Sequence, residues 1–438
     1  MAESGCGGPG AEDAPMTLTA RTAPAPPAAM TRRPAHDGGA RRQTGREAGT
    51  RTYPRALPIV PVRARGLTVE GADGRRYLDC LSGGGTLPLG HNHPVVLEAI
   101  RTVLDSGAPL HAPDLASPVR DAFVDELLGT LPPALARHAR VRFCGPGEAD
   151  AVATAVTLVR AATGRTGIVR YAEGMSDAAL TGVGADLGTD TGPDAGPRAR
   201  PAGVLLAPVS EEGVVPVPDD RTRRVRRLTA ERSVPLIADE TGTGVGRTGA
   251  YWAVDHAGIV PEVMVLSKAV GGSLPLSVVV HHEDLAPARR GSRPGAFSGN
   301  HLALAAGTAT LAHVRAHRLA AHADALGSGM LRRLRELAAA HPCVGAVRGR
   351  GLMLGIEFVG AGGAGAHAPG VAAAVQRACL RRGLIVDAGG RPAHVVRLLP
   401  PLTTTEEQAA AVLDRLADAV ESVARGGSGP ASPEPRPR

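Results

Sequence analysis

Lysine is nearly absent from this 438-residue sequence. Of 49 basic residues Lys268 is the single lysine, which leaves 48 arginines (49 − 1). Aromatic residues are scarce as well, with four Phe, four Tyr and one Trp, and the net charge is only +7. The chain therefore offers neither the stacking surface nor the concentrated positive field of a nucleic-acid binder. No apolar run reaches the roughly 18 residues needed to cross a bilayer, so a membrane-embedded protein is not expected. The five cysteines, Cys6, Cys80, Cys144, Cys343 and Cys379, are odd in number and scattered, with no C-x-x-C pair to suggest zinc or redox chemistry. A reducing, cytoplasmic location fits that pattern.

What is present points to a globular protein with ragged ends. An apolar content of 43% is enough for the cores of two or three domains. Residues 1–50, rich in Ala, Pro, Gly and Arg, lack periodic apolar positions and are expected to be a disordered tail. That stretch has no continuous apolar core of a secretory signal, and Glu3, Glu12, Asp13, Asp37 and Glu47 argue against a transit peptide. The end "GGSGPASPEPRPR" reads as a second tail. Arginine stands where other proteins place lysine, so a surface lysine would drift to arginine at little cost. The survivor at 268 needs a reason.

Between the tails the pattern is regular. "GLTVEGADGRRYLDC" alternates and turns at Asp73-Gly74, which predicts a hairpin. Helical stretches such as "HPVVLEAIRTVLDSG" then alternate with short apolar runs, "RVRFCG", "GVLLAPV", "VPLIADE" and "VMVLSK". Such alternation predicts an α/β protein with a mainly parallel sheet. The stretch from "CVGAVRGRGLMLGIEFV" to a last helix starting near Thr405 reads as a smaller α+β unit.

In such sheets ligands sit beyond the carboxyl ends of the strands. There the sequence puts Asp239, Lys268 and the loop Gly145-Pro146-Gly147 before a helix. A desolvated lysine can lose its proton and condense with carbonyls, whereas a guanidinium cannot. A carboxylate at the end of a buried strand needs a cation or donors, and a protonated pyridine nitrogen is one such partner. A helix cap or a structural ion pair would also satisfy Asp239. The glycine loop can offer N–H groups and a helix N-terminus to a phosphate, provided Glu148 points away. This trio suits pyridoxal 5'-phosphate (PLP).

The blocks "LIADETGTGVGRTGAYWAVDHAGIVPEVMVLSKAVGGSLPLSVVV", "YLDCLSGGGTLPLGHNHP", "FCGPGEADAV", "VRGRGLMLGIEF" and "RLLPPL" occur in the order found in class III aminotransferases, which the chain resembles from about Arg51 to Val423. "LHAPDLASPVRDAFVDELL" with "PGAFSGNHLALAAG" is most similar to the diaminobutyrate 2-oxoglutarate aminotransferases. The resemblance implies the fold-type I PLP transferase architecture. A large domain over 106–325 would carry a seven-stranded-type sheet, and a small domain would be built from 51–105 and 326–425, ahead of a tail at 426–438. It implies a homodimer with shared active sites, exchanging an ω-amino group between an amino donor, 2,4-diaminobutyrate in secondary metabolism, and 2-oxoglutarate.

The same resemblance makes Lys268 the catalytic Schiff-base lysine and assigns cofactor contacts to Gly145, Pro146, Gly147, Met175, Asp239, Thr243 and Phe297. Arg397 would bind the acceptor's carboxylate and Glu212 would mask that arginine. Several positions depart from the family pattern: Met175 and Ser176 stand at the ring-stacking site, Gly242 replaces a cofactor-contacting Gln, and Ala296 replaces a phosphate-binding Thr. These changes keep open a diverged PLP protein with another activity or a noncatalytic scaffold. "HNH" at His91–His93 is read as a turn rather than a metal site, and "RTRRVRRL" at 221–228 as a solvated helix face.

Overall fold

A computed structural model describes residues 59–113, 115–171, 200–286, 296–360 and 366–426. The expected tail at 1–50, all of the expected tail at 426–438 except Gly426, which ends a helix, and the position of Met175 lie outside those residues. Along the chain, strands β1 (Pro61–Arg65), β2 (Thr68–Gly71) and β3 (Arg76–Asp79) come first. After two helices, Pro94–Asp105 and Pro118–Leu128, follow β4 (Ala139–Phe143), the helix Glu148–Thr163, β5 (Ile168–Arg170), β6 (Gly203–Leu206), β7 (Val209–Ser210) and β8 (Val215–Pro216). The helix Asp219–Glu231 leads to β9 (Leu236–Asp239), β10 (Val263–Leu266) and β11 (Val278–His282). Beyond the helices His301–Ala316 and Leu319–Ala340 lie β12 (Val344–Arg350), β13 (Met353–Phe358), β14 (Leu384–Ile385), β15 (Asp387–Gly389), β16 (Val395–Leu398) and a last helix, Glu406–Gly426.

The main sheet has six strands among the described residues, in the order β4-β11-β10-β9-β6-β5. Its strands run parallel except β11, which pairs antiparallel with both β10 and β4. Val263, Met264, Val265 and Leu266 are all fully buried. A strand covered on both faces has no solvent side, which is why it reads as a continuous apolar run instead of an alternating one. The expected hairpin exists as β2–β3, with Gly74 at φ +77° in its turn.

Two four-stranded sheets, β1-β2-β3-β14 and β12-β13-β16-β15, and a two-stranded one, β7-β8, accompany the main sheet among the described residues. The first joins strands from both ends of the chain, since β14 pairs with β3. In the helix Asp219–Glu231, Thr222, Val225 and Thr229 turn inward while Arg221, Arg223, Arg224 and Arg227 are exposed, as the spacing predicts. His91 bonds to Asp79 at 2.8 Å, whereas His93 stacks on His313, so the "HNH" histidines have separate structural partners. Among the described cysteines, Cys80, Cys144, Cys343 and Cys379 are free thiols.

Candidate active site

Parallel pairing of β9 and β10 puts Val265 opposite Asp239, so the acid closes one strand just where its neighbour approaches Lys268. Lys268 begins a short 3-10 turn and takes φ +54°, a left-handed conformation that costs a non-glycine residue about 1–2 kcal/mol. A strained backbone beside a cavity is a feature of functional sites. The side chain points inward and is only 16% exposed.

Two carboxylates hold the amine. Lys268 Nζ lies 2.6 Å from Glu211 Oε2 and 2.9 Å from Glu148 Oε2. Burial works against the charged amine, but Glu211 and Glu148 outweigh it and hold the pKa above the ordinary lysine value. The condition that Glu148 point away from a phosphate at the glycine loop bears directly on this contact. This residue starts the helix behind the loop and turns onto the lysine instead.

Asp239 accepts from the Thr241 backbone N–H at 3.2 Å and from the Thr241 hydroxyl at 2.7 Å, a local turn that aims its carboxyl group. A cavity of about 970 Å³ is bordered by Asp239, Thr241, Thr243, Glu148, Glu211 and Glu212. An adjoining space of about 300 Å³ is lined by Lys268, Pro146, Gly147 and Ser267, with Glu148 at the edge of both. Thr243 is almost fully buried and its hydroxyl donates to Glu240, so that hydroxyl is already committed. Burial, first of all, pushes Glu240 up to about 7, against hydrogen bonds from Thr243 and the Val254 and Ala253 amides.

The glycine loop is fixed from two sides. Ser277 Oγ donates to the carbonyls of Pro146 and Gly147 at 3.1 Å and meets Ser267 Oγ at 2.7 Å, which ties the loop to the strand end before Lys268. On the other side Asp150 accepts from the Gly147 N–H at 3.2 Å. A Cβ at Gly145 would come within 2.5 Å of the Asp150 carboxylate, so a larger residue there would push that carboxylate off the Gly147 N–H. The two serines escape sequence reasoning because a lone Ser beside the end of an apolar strand carries no motif.

Arg397, on β16, donates to the Glu211 carbonyl at 2.9 Å and pairs with Asp387, its neighbour across β15–β16. Glu212 instead bonds to Arg391 at 2.8 Å on the exposed surface. The counter-charge of Arg397 is thus Asp387, and the acid facing the lysine is Glu211. Phe297 lies in the short 3-10 turn Ala296–Gly299 that precedes Asn300, the N-cap of the next helix.

Comparison with known proteins identifies the family. The family described as "Aminotransferase class-III" matches residues 50–184 and 198–420. A diaminobutyrate-2-oxoglutarate aminotransferase of Rhizobium meliloti is 41% identical, covering 88% of this chain and 92% of the relative. One from Haemophilus influenzae is 36% identical over 86% and 94%. An acetylornithine aminotransferase of Mycolicibacterium smegmatis is 36% identical over 84% and 95%. Among solved structures, Plasmodium falciparum ornithine delta-aminotransferase has the same fold, with a TM-score of 0.74 at 24% identity, covering 88% of this chain and 99% of that one.

Proposed function

The chain belongs to the class III aminotransferases, PLP-dependent transaminases, and on that premise we propose that it moves the ω-amino group of 2,4-diaminobutyrate to 2-oxoglutarate. The names of the relatives support the substrate pair. The observation that carries the reading is the sole lysine, turned inward at a strand end beside the carboxyl-lined cavity that Asp239 borders. A role in secondary metabolism, a homodimer with shared sites and a cytoplasmic location belong to the same proposal. So does the division into a large domain, 106–325, and a small one, 51–105 with 326–425.

The residues present fit PLP at its reactive end. A primary amine suits the aldehyde, Asp239 suits a protonated ring nitrogen, and the Ser277-tethered loop Gly145-Pro146-Gly147 opens a helix toward the cavity. Bound there, the cofactor supplies the electron sink for cleavage of the bond beside the transferred nitrogen. Asp239, aimed by Thr241, would hold a proton on the ring nitrogen. Lys268 would carry the proton between the substrate carbon and the cofactor as general base and then general acid. Glu211 and Glu148 would take up the positive charge of the amine when it is protonated and set how readily it gives the proton up. Arg397 would grip the carboxylate of 2-oxoglutarate through its planar fork, released from Asp387.

Glu148 and Asp150 favour a second reading, a noncatalytic protein on the same scaffold, since two acids at the helix N-terminus oppose a bound phosphate. One experiment separates the two. Purified protein is mixed with PLP and followed by absorbance, then given 2,4-diaminobutyrate and 2-oxoglutarate. A visible band, its bleaching by the diamine and glutamate release support the transaminase. Absence of all three overturns it.

A further inference from the structure

Away from this cavity, the sheet that carries Arg397 brings together three side chains with metal-binding chemistry. We propose that Glu357, His367 and His394 form a site for a divalent transition-metal ion, zinc by preference. One ring nitrogen of each histidine and one carboxylate oxygen of Glu357 all lie within 4.8 Å of one another. Glu357 is on β13, His367 sits in an isolated bridge to Val359, and His394 immediately precedes β16. The bond from the Phe358 N–H to the His394 carbonyl, 2.8 Å, fixes two of these segments together. Spaced 10 and 27 residues apart, the three form no linear motif, which is why the sequence suggests no metal.

Each ligand is prepared in a different way. The Pro392 carbonyl can only accept, so the His394 nitrogen bonded to it, Nδ1, carries the proton and Nε2 keeps a lone pair. A ligating histidine is normally oriented by such an outer bond. Arg348 Nη1 binds Glu357 Oε2 at 2.5 Å, leaving Oε1 turned toward His367 at 3.4 Å. His394 is 6% exposed and preorganised, whereas His367 is exposed and gives an ion a way in.

Metal–ligand bonds of about 2.0–2.2 Å place tetrahedral ligand atoms about 3.3–3.6 Å apart, so those at the 4.8 Å limit must close by up to about 1.5 Å. The two imidazole rings are stacked, with centroids 3.8 Å and planes 33° apart, so the exposed His367 must turn out of the stack for both in-plane lone pairs to meet one ion, and that rotation supplies the movement. Two imidazoles and a carboxylate suit zinc or its neighbours rather than Mg²⁺ or Ca²⁺, which take oxygen ligands. The positive charge of Arg348 beside the site works against a bound cation and lowers its affinity. A bound ion would tie β13 to the segment leading into β16, three residues ahead of Arg397.

Full-length protein treated with EDTA would be titrated with Co²⁺, read by its visible ligand-field bands, and with Zn²⁺ by calorimetry. The proposal expects saturation that falls by one ion per chain in His367→Ala and in Glu357→Gln, or binding at that site weakened at least about 10-fold in each. Zn²⁺ should also raise Tm in the parent and not in these variants. His367→Ala alters an exposed side chain, so its fold is retained and checked by circular dichroism. Thirteen other histidines (15 − 2) can bind metal weakly, so the difference between parent and variant is decisive. Identical titrations for parent and both variants, or no saturable binding below about 1 mM in the parent, overturn the site.

Discussion

Glu211 occupies the volume that a side chain at Gly242 would need: a Cβ there would lie 1.8 Å from Glu211 Oε1 and 2.4 Å from its Cδ. The glycine is thus the condition for an acid to reach Lys268, and the two positions form one unit. Gly242→Gln should expel Glu211 from the lysine and destabilise by about 1–3 kcal/mol as an overpacked change. Adding Glu211→Gly should recover most of that loss, a coupling between neighbours that melting curves of the four proteins would measure. Additive changes would refute it.

Lys268→Ala should reduce transamination at least about 1,000-fold and remove the visible band of the PLP-treated protein. Its effect on stability should be small, about 0–1 kcal/mol, because Glu211 and Glu148 are 34% and 53% exposed and water screens them. Stopped-flow rates and thermal melts on the same sample test both halves.

For the acceptor, Arg397→Lys replaces a planar fork with a point charge and should raise KM for 2-oxoglutarate about 10- to 100-fold, with the diamine half-reaction nearly unchanged. Glu212→Gln should leave both half-reactions within about two-fold, because that side chain bonds to Arg391 at the surface. A large effect of Glu212→Gln would restore the motif-based assignment.

Glu240 gives a pH signature of stability. Its folded pKa of about 7 lies above the ordinary value of 4.5, so between those limits the folded state binds the extra proton. Stability from this group is full below about 4.5, is lost as pH rises through 7, and is flat beyond. The total is at most about 3 kcal/mol. Glu240→Gln should flatten this slope, so the Tm difference between wild type and variant should change between pH 5 and pH 8.

Much of this was legible in the sequence. β6, β9 and β10 are continuous apolar runs because they are buried on both faces, and the carboxyl-end rule then singles out Asp239, Lys268 and the glycine loop. The choice between Glu211 and Glu212 was not legible. They are neighbours in the tight turn between β7 and β8, where a slip of one residue reverses the direction of a side chain, and no spacing rule resolves that. Ser267, Ser277 and Asp387 were missed for a related reason: each acts through a partner brought close only by strand pairing.

The bond from Arg397 to the Glu211 carbonyl ties β16 to the turn between β7 and β8 at the edge of the cavity. A guanidinium drawn toward an incoming carboxylate would release the turn whose next atoms carry the acid gripping Lys268. Acceptor arrival would thereby be reported at the amine as a change in its basicity, giving alternating substrates a mechanical link that needs no domain movement.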